Sequence, residues 1–121
     1  MIGIEDQDLI SKVWGSEKIF RNKDHVVKYM TVKPGTKSSL HFHQIKNETF
    51  ILQKGKLIIE YYIDGEKHTT ELLEPLDQIF LPACTPHCFY VPKEQEESTV
   101  FIECSVIDKA DDNYRLTKSS K

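Results

Sequence analysis

The sequence predicts an all-β sandwich or barrel, because it contains about eight short runs of β-branched and aromatic residues separated by turn signals. The strongest turn signal is Asp64-Gly65, which lies between the runs at Leu57–Ile63 and 67–72. A two-residue Asp-Gly link between two such runs is typical of a β-hairpin, since both turn residues need a positive φ. In chain order the predicted strands are 25–32, 40–44, 49–53, 57–63, 67–72, 78–81, 87–91 and 99–107.

Several of these strands end next to a residue that interrupts regular structure. Proline lacks the N–H that a sheet needs, and glycine tolerates the turn conformations that other residues avoid. The residues in question are Pro34, Gly35, Gly55, Pro82 and Pro92.

The ends of the chain carry weaker signals. Residues 6–13 predict a short N-terminal amphipathic helix, with Ile10 and Val13 on one face. The first ten residues contain three acidic side chains and no apolar run, so we expect no signal peptide and a cytoplasmic location.

Length and composition restrict the class of protein. The chain has 121 residues, 39% of them hydrophobic, which indicates one globular domain over 1–121. Its net charge of −3 gives no electrostatic footprint for nucleic acid, and no basic run suggests a membrane surface. Three cysteines are too few, and an odd number, for a secreted disulfide scaffold.

The most informative stretch runs from His41 to Glu48. Alternate side chains of a strand share a face, so His41 and His43 point the same way. Two imidazoles and the Glu48 carboxylate, converging from paired strands, make a site for a divalent transition metal. His87 is the fourth candidate ligand, since closure of a barrel could bring it back to the same place.

These residues lie in a pattern that resembles the cupins. Gly35-x5-His41-x-His43-x4-Glu48-x6-Gly55 fits the first cupin motif without a gap, and Asp77-x4-Pro82-x4-His87 is similar to the second. Leu76 and Cys84 stand where the second motif commonly has glycine. The resemblance covers about 14–115. It implies a double-stranded β-helix, the cupin jelly-roll barrel, with one divalent metal (Mn2+, Fe2+, Co2+, Ni2+ or Zn2+) inside its mouth.

Two finer resemblances concern function. Residues 14–19 and 32–35 look like the cupins of type II mannose-6-phosphate isomerases. Lys46 between the ligands, Glu103-x-Ser105 and Asp112-Asn113-x-Arg115 are similar to D-lyxose isomerases. This second resemblance implies that Lys46 and Glu103 are the acid/base pair and that Asp112 and Arg115 contact substrate.

The function expected from these resemblances is a metal-dependent aldose–ketose isomerase acting on a sugar or sugar phosphate by proton transfer through a metal-bound enediolate. A lysine beside a divalent ion should have a lowered pKa, so we expect neutral Lys46 to act as a base. The alternatives are a non-catalytic carbohydrate-binding cupin that serves polysaccharide or nucleotide-sugar metabolism, and an Fe2+-dependent dioxygenase. We expect a small-molecule sugar as the partner, and a homodimer that covers exposed strand edges.

Each of these residues could also have a structural role without any part in catalysis or binding. Lys46 could be a solvated loop lysine, and Glu103 could be a charge at the rim. Arg115 could pair with Asp111 or Asp112 on the surface.

Overall fold

The computed structural model describes residues 2–106, 109–117 and 119. These residues form eleven β-strands and one 3-10 helix, at Ala110–Asp112. The strands are β1 (Asp8–Lys12), β2 (Gly15–Asn22), β3 (Val26–Val32), β4 (His41–Phe42), β5 (Glu48–Lys54), β6 (Leu57–Ile63), β7 (Glu66–Leu72), β8 (Gln78–Leu81), β9 (His87–Tyr90), β10 (Thr99–Ser105) and β11 (Tyr114–Arg115). Ile107, the end of the last predicted strand, lies outside the described residues.

The strands build two antiparallel sheets. One has the order β1-β2-β3-β10-β5-β8, and the other has the order β11-β4-β9-β6-β7. Strands distant in sequence are therefore neighbours, as in β3 and β5 on the two sides of β10. This architecture confirms the all-β jelly roll. No helix in the described ranges is long and apolar enough to cross a membrane.

The predicted N-terminal helix at 6–13 is wrong. Asp8–Lys12 is instead the edge strand β1, whose residues pair with β2 from Asp8 opposite Ile19 to Lys12 opposite Gly15. A helix of eight residues is only marginally stable by itself in water. Pairing with β2 gives the same backbone a ladder of hydrogen bonds, so the tertiary context decides the conformation.

The turns follow the sequence closely. Asp64 and Gly65 have φ of 51° and 80°, and they join β6 to β7 in the predicted hairpin. Leu76 and Cys84 also adopt positive φ, of 75° and 66°. The two positions at which the second motif lacks its usual glycine therefore keep the backbone conformation that glycine favours.

The hydrophobic core lies between the sheets, at one end of the barrel. Phe101 on β10 is its centre, with its ring centroid 4.8 Å from that of Phe50 and 5.3 Å from that of Phe89. Trp14 packs edge-on against Phe89 at 5.0 Å. Phe50 also contacts the His87 ring, at 6.2 Å between centroids, so the core directly supports the polar end of the barrel.

Candidate metal centre

Three imidazoles meet at the polar end of the barrel. His41 is in β4, His43 follows that strand directly, and His87 begins β9 as the register partner of His41. One ring nitrogen of each histidine lies within 4.8 Å of the others. The alternation that predicts His41 and His43 on one face, and the barrel closure that returns His87 to them, are both seen.

A backbone carbonyl fixes the orientation of each of these rings. Nδ1 of His41 lies 2.9 Å from the Ser39 oxygen, and Nδ1 of His87 lies 2.8 Å from the Thr85 oxygen. Nδ1 of His43 lies 2.7 Å from the Asp112 oxygen. Because a carbonyl only accepts, we assign the proton to Nδ1 in all three rings. Each Nε2 then presents a lone pair, as is usual for histidines that bind metals.

Glu48, the first residue of β5, completes the cluster. Its Oε2 lies 2.9 Å from Nε2 of His87, and its Oε1 lies 3.6 Å from Nε2 of His43. With the proton on Nδ1, the contact with His87 joins two acceptors and is not a hydrogen bond. In the described part of the chain, Nε2 of His43, Nε2 of His87 and Oε2 of Glu48 are buried without a hydrogen-bond partner. A cation between them would satisfy all three.

The environment keeps the imidazoles in the form that binds metal. Burial, and after it the neighbouring His87, lower the pKa of His41 to about 3. Burial also lowers the pKa of His43. Neutral imidazole is the ligand form, so these rings need lose no proton to bind an ion at neutral pH. The three-histidine cluster thus indicates a divalent metal site, and three nitrogens with one carboxylate suit Mn2+, Fe2+, Co2+, Ni2+ or Zn2+.

Lys46 and Glu103 are buried next to this cluster. Nζ of Lys46 lies 2.9 Å from Oε1 of Glu48 and 3.1 Å from Oε2 of Glu103. The Ser105 hydroxyl donates to the same Glu103 oxygen at 3.3 Å. Lys46 and Glu103 are 4% exposed each, which rules out a solvated loop lysine and a rim charge.

Burial and neighbouring charges act on both groups of the pair. Burial raises the pKa of Glu103, the charge of Glu48 raises it further, and Lys46 and Lys28 oppose this without cancelling it. Lys46 faces two carboxylates, and their negative charges favour its ammonium form.

Lys28 and Glu17 are site residues that our sequence analysis missed. Lys28 is buried on β3 as the register partner of Glu103, and its Nζ lies 3.4 Å from Oε1 of Glu17. A signal exists in the sequence, because Lys28 shares a strand face with Val26 and Met30, both buried. A charged residue in an apolar row of this kind suggests an ionic partner across the barrel.

Asp112 and Arg115, the expected substrate contacts, are placed differently. The Asp112 carboxylate accepts hydrogen bonds from the backbone N–H groups of Gln44, Ile45 and Lys46, at 2.8 to 3.2 Å. Both of its oxygens accept hydrogen bonds from that loop, so Asp112 helps to hold the loop in place, and its contact with substrate stays a prediction. Arg115 lines the cavity in front of the histidines, opposite His41 in the register of β11 and β4.

The cavity in front of the cluster has a volume of about 420 Å³. Ligand pockets are commonly roughly 300–1,000 Å³, so a small molecule fits this space. Its floor includes His41, His43, Lys46, Glu48 and Glu103, and Phe50 and Phe89 form an apolar part of the wall.

A histidine cluster with a carboxylate, set in the mouth of a jelly-roll barrel, defines a metal-binding barrel protein. The chain belongs to the cupin family, whose domain matches residues 28–103. That range includes every residue of the cluster and also Lys46 and Glu103.

Solved structures with the same fold include larger proteins. Capsular polysaccharide assembling protein CapF from Staphylococcus aureus superposes with a TM-score of 0.77 at 21% identity, over 93% of this chain and 32% of CapF. Oxalate decarboxylase from Bacillus subtilis superposes with a TM-score of 0.79 at 17% identity, over 95% of this chain and 31% of the enzyme. The chain thus spans about a third of the length of either protein. Among curated proteins, no sequence is significantly similar to it.

Proposed function

We propose that this cupin is a divalent-metal-dependent aldose–ketose isomerase that acts on a sugar or sugar phosphate. The observation that carries the proposal is the buried contact between Lys46 and Glu103, 3.1 Å from Nζ to Oε2, directly beside the histidine cluster. Isomerisation moves one proton between C2 and C1 and another between O2 and O1. It therefore needs two titratable groups next to one substrate position.

His41, His43, Glu48 and His87 would hold the ion. When bound, a divalent cation supplies a Lewis acid that stabilises negative charge on the sugar oxygens. The rest of the site belongs to the protein. Phe50 excludes water from one wall, and the carbonyl contacts of the histidines keep their rings from turning.

The geometry supports a definite division of labour. Glu103, with its raised pKa, takes the proton from C2 and returns it to C1. Lys46, held as an ammonium by Glu48 and Glu103, gives a proton to O1 and recovers one from the hydroxyl on O2. The protons lost and gained then balance, and both groups return to their starting forms.

The test is hydrogen exchange at C2, followed by NMR in D2O with metal-loaded protein and a panel of aldoses and ketoses. Lys46→Met and Glu103→Gln should each slow exchange by about 100-fold or more, while the metal content per chain is unchanged. Glu97→Gln, at an exposed position, serves as the control. Exchange at the wild-type rate in either site variant, or no exchange with any sugar, would contradict the proposal.

A non-catalytic carbohydrate-binding cupin is the second candidate, supported by the name of CapF as a capsular polysaccharide assembling protein. It predicts that a sugar raises the melting temperature without any exchange at C2. An iron-dependent dioxygenase would instead take up oxygen only when Fe2+ is added.

We further propose a homodimer. β1 is an edge strand with unpaired backbone, and Leu9 on it is 71% exposed. Light scattering should give a dimer mass for the wild type and a monomer mass for Leu9→Lys, because a lysine on an edge strand opposes pairing.

A further inference from the structure

The charges that line the cavity are unbalanced. Among the residues that the structure describes, its wall carries five basic side chains against three acidic ones, although the whole chain has a net charge of −3. The basic residues are Lys12, Lys28, Lys46, Lys109 and Arg115, and the acidic ones are Glu17, Glu48 and Glu103. The described wall of the cavity thus has an excess of basic over acidic side chains.

The acidic side chains already have lysine partners. Glu17 lies 3.5 Å from Nζ of Lys12 and 3.4 Å from Nζ of Lys28. Glu48 and Glu103 share Lys46, at 2.9 and 3.1 Å. Each of the three carboxylates that the described part of the wall contains is therefore already paired with a lysine.

Lys109 and Arg115 are the basic residues of the wall that remain after these pairs are counted. Across residues 2–106, 109–117 and 119, neither forms a salt bridge with an acidic side chain. The nearby Asp112, which our sequence analysis weighed as a surface partner of Arg115, is engaged with backbone N–H groups. Two cations thus face the cavity without an acidic partner in that part of the chain.

The segment that carries these cations is fastened over the cavity. The N–H of Leu116 donates to the Leu40 carbonyl at 2.6 Å, and the N–H of Ser39 donates to the Ser119 hydroxyl at 3.0 Å. β11 pairs with β4, which places Arg115 opposite the metal-site residue His41. Arg115 is therefore held on the same strand pair as His41, while Lys109 directly precedes the 3-10 helix.

From this distribution we infer that the substrate carries an anionic group, a phosphate or a carboxylate, bound by Arg115 and Lys109 while the sugar oxygens face the metal cluster. This inference rests on the proposed function and deepens it by naming the substrate class. Arginine binds phosphate and carboxylate through two parallel N–H contacts, and lysine adds a point charge. A divalent ion in the cluster would add to the positive field and increase the attraction.

The experiment is calorimetric titration of metal-loaded protein with matched sugars. The panel contains glucose, mannose and fructose, the 6-phosphates of all three, and glucuronate. At least one anionic sugar should bind about tenfold or more tightly than its neutral counterpart, because one charge-assisted contact contributes about that much. Comparison of the affinities of the 6-phosphates with that of glucuronate identifies which anion the site prefers.

Three variants test the residues. Arg115→Gln and Lys109→Gln should each weaken binding of the anionic sugar about tenfold and leave neutral sugars within about twofold. Lys54→Gln removes the same charge from an exposed position outside the cavity and should change neither. Unchanged anion affinity in both cavity variants, a preference for neutral sugars, or no binding by any member of the panel would overturn the inference.

The same panel separates this inference from the isomerase proposal. If neutral sugars undergo hydrogen exchange at C2 and an anionic group does not tighten binding, the isomerase proposal is supported and the anion site is contradicted. If an anionic sugar binds tightly through Arg115 but shows no hydrogen exchange at C2, the anion site is supported and the isomerase proposal is contradicted.

Discussion

The main-chain oxygen of Asp112 accepts a hydrogen bond from Nδ1 of His43 at 2.7 Å, across 69 positions of the sequence. The carboxylate of the same residue accepts hydrogen bonds from three successive N–H groups, ending at Lys46. One residue of the C-terminal segment thus orients a metal-site histidine and the loop that carries the proposed proton donor.

Removal of the Asp112 carboxylate should loosen both the loop and the metal site. Burial raises the pKa of Asp112, but the N–H groups of Gln44, Ile45 and Lys46 lower it more, so the carboxylate is anionic in the folded protein. Asp112→Ala should lower the free energy of unfolding by about 1–3 kcal/mol, because it leaves the buried N–H of Lys46 and the part-buried N–H groups of Gln44 and Ile45 without their acceptor. Metal affinity should fall by up to about tenfold, because the main-chain oxygen that orients His43 stays but is no longer fixed by the contacts of the carboxylate with the loop.

Chelator competition and urea unfolding measure these two effects. Asp111→Ala changes the exposed neighbour in the same 3-10 helix and should alter neither quantity. Equal behaviour of the two variants would show that Asp112 has no positioning role.

The turn at Leu76 stores backbone strain that a glycine would relieve. Leu76 has φ of 75° and is 75% exposed, so its side chain contributes little to the core. Leu76→Gly should raise the free energy of unfolding by about 0.5–1 kcal/mol. The left-handed conformation costs a leucine more than this, and the greater conformational entropy of glycine in the unfolded chain offsets part of the gain.

Leu73→Gly is the matched control, because Leu73 is a half-exposed leucine of the same turn without a positive φ. Leu73→Gly should lower the free energy of unfolding. The urea midpoints of the two variants and the wild type compare the two effects directly. A loss of stability in Leu76→Gly as large as that in Leu73→Gly would contradict the strain argument.

Asp77 should make the stability of this turn depend on pH. Its Oδ2 accepts hydrogen bonds from the N–H groups of Leu73 and Glu74, both at 3.0 Å, and these contacts lower the pKa of Asp77. A carboxyl group with a lowered pKa in the folded state stabilises the protein above its unfolded pKa of about 3.9, and this stabilisation is lost as the pH falls through the folded value.

The stability difference between wild type and Asp77→Asn should therefore be largest at neutral pH and shrink steadily below about pH 4. Urea unfolding at a series of pH values measures it, with Glu74→Gln as the neighbouring control. A difference that is constant with pH would mean that the charge of Asp77 is not involved.

The fold and the cluster were accessible from sequence because their signals are local. His41, His43 and Glu48 lie within eight positions of one another, and strand alternation predicts the common direction of His41 and His43. The Asp64-Gly65 hairpin is equally local, because its positive φ angles follow from the turn residues themselves.

The features that the sequence did not predict depend on contacts between distant segments. Residues 8–12 become a strand only because β2 lies beside them. Lys28 stands out in the sequence as a charge in an apolar row, but its place beside the site follows only from the pairing that brings Glu103 opposite it. Asp112 meets the loop at Gln44 across 68 positions, and no local pattern indicates that pairing.

The central claim is that His41, His43, Glu48 and His87 together hold one divalent ion. The direct measurement is metal content by mass spectrometry, after loading with Mn2+, Fe2+, Co2+, Ni2+ or Zn2+ and dialysis. The wild type should retain about one ion per chain of at least one of these metals, and the double variant His41→Ala/His87→Ala should retain almost none. A wild type that retains none of the five, or a double variant that binds as much as the wild type, would contradict the account.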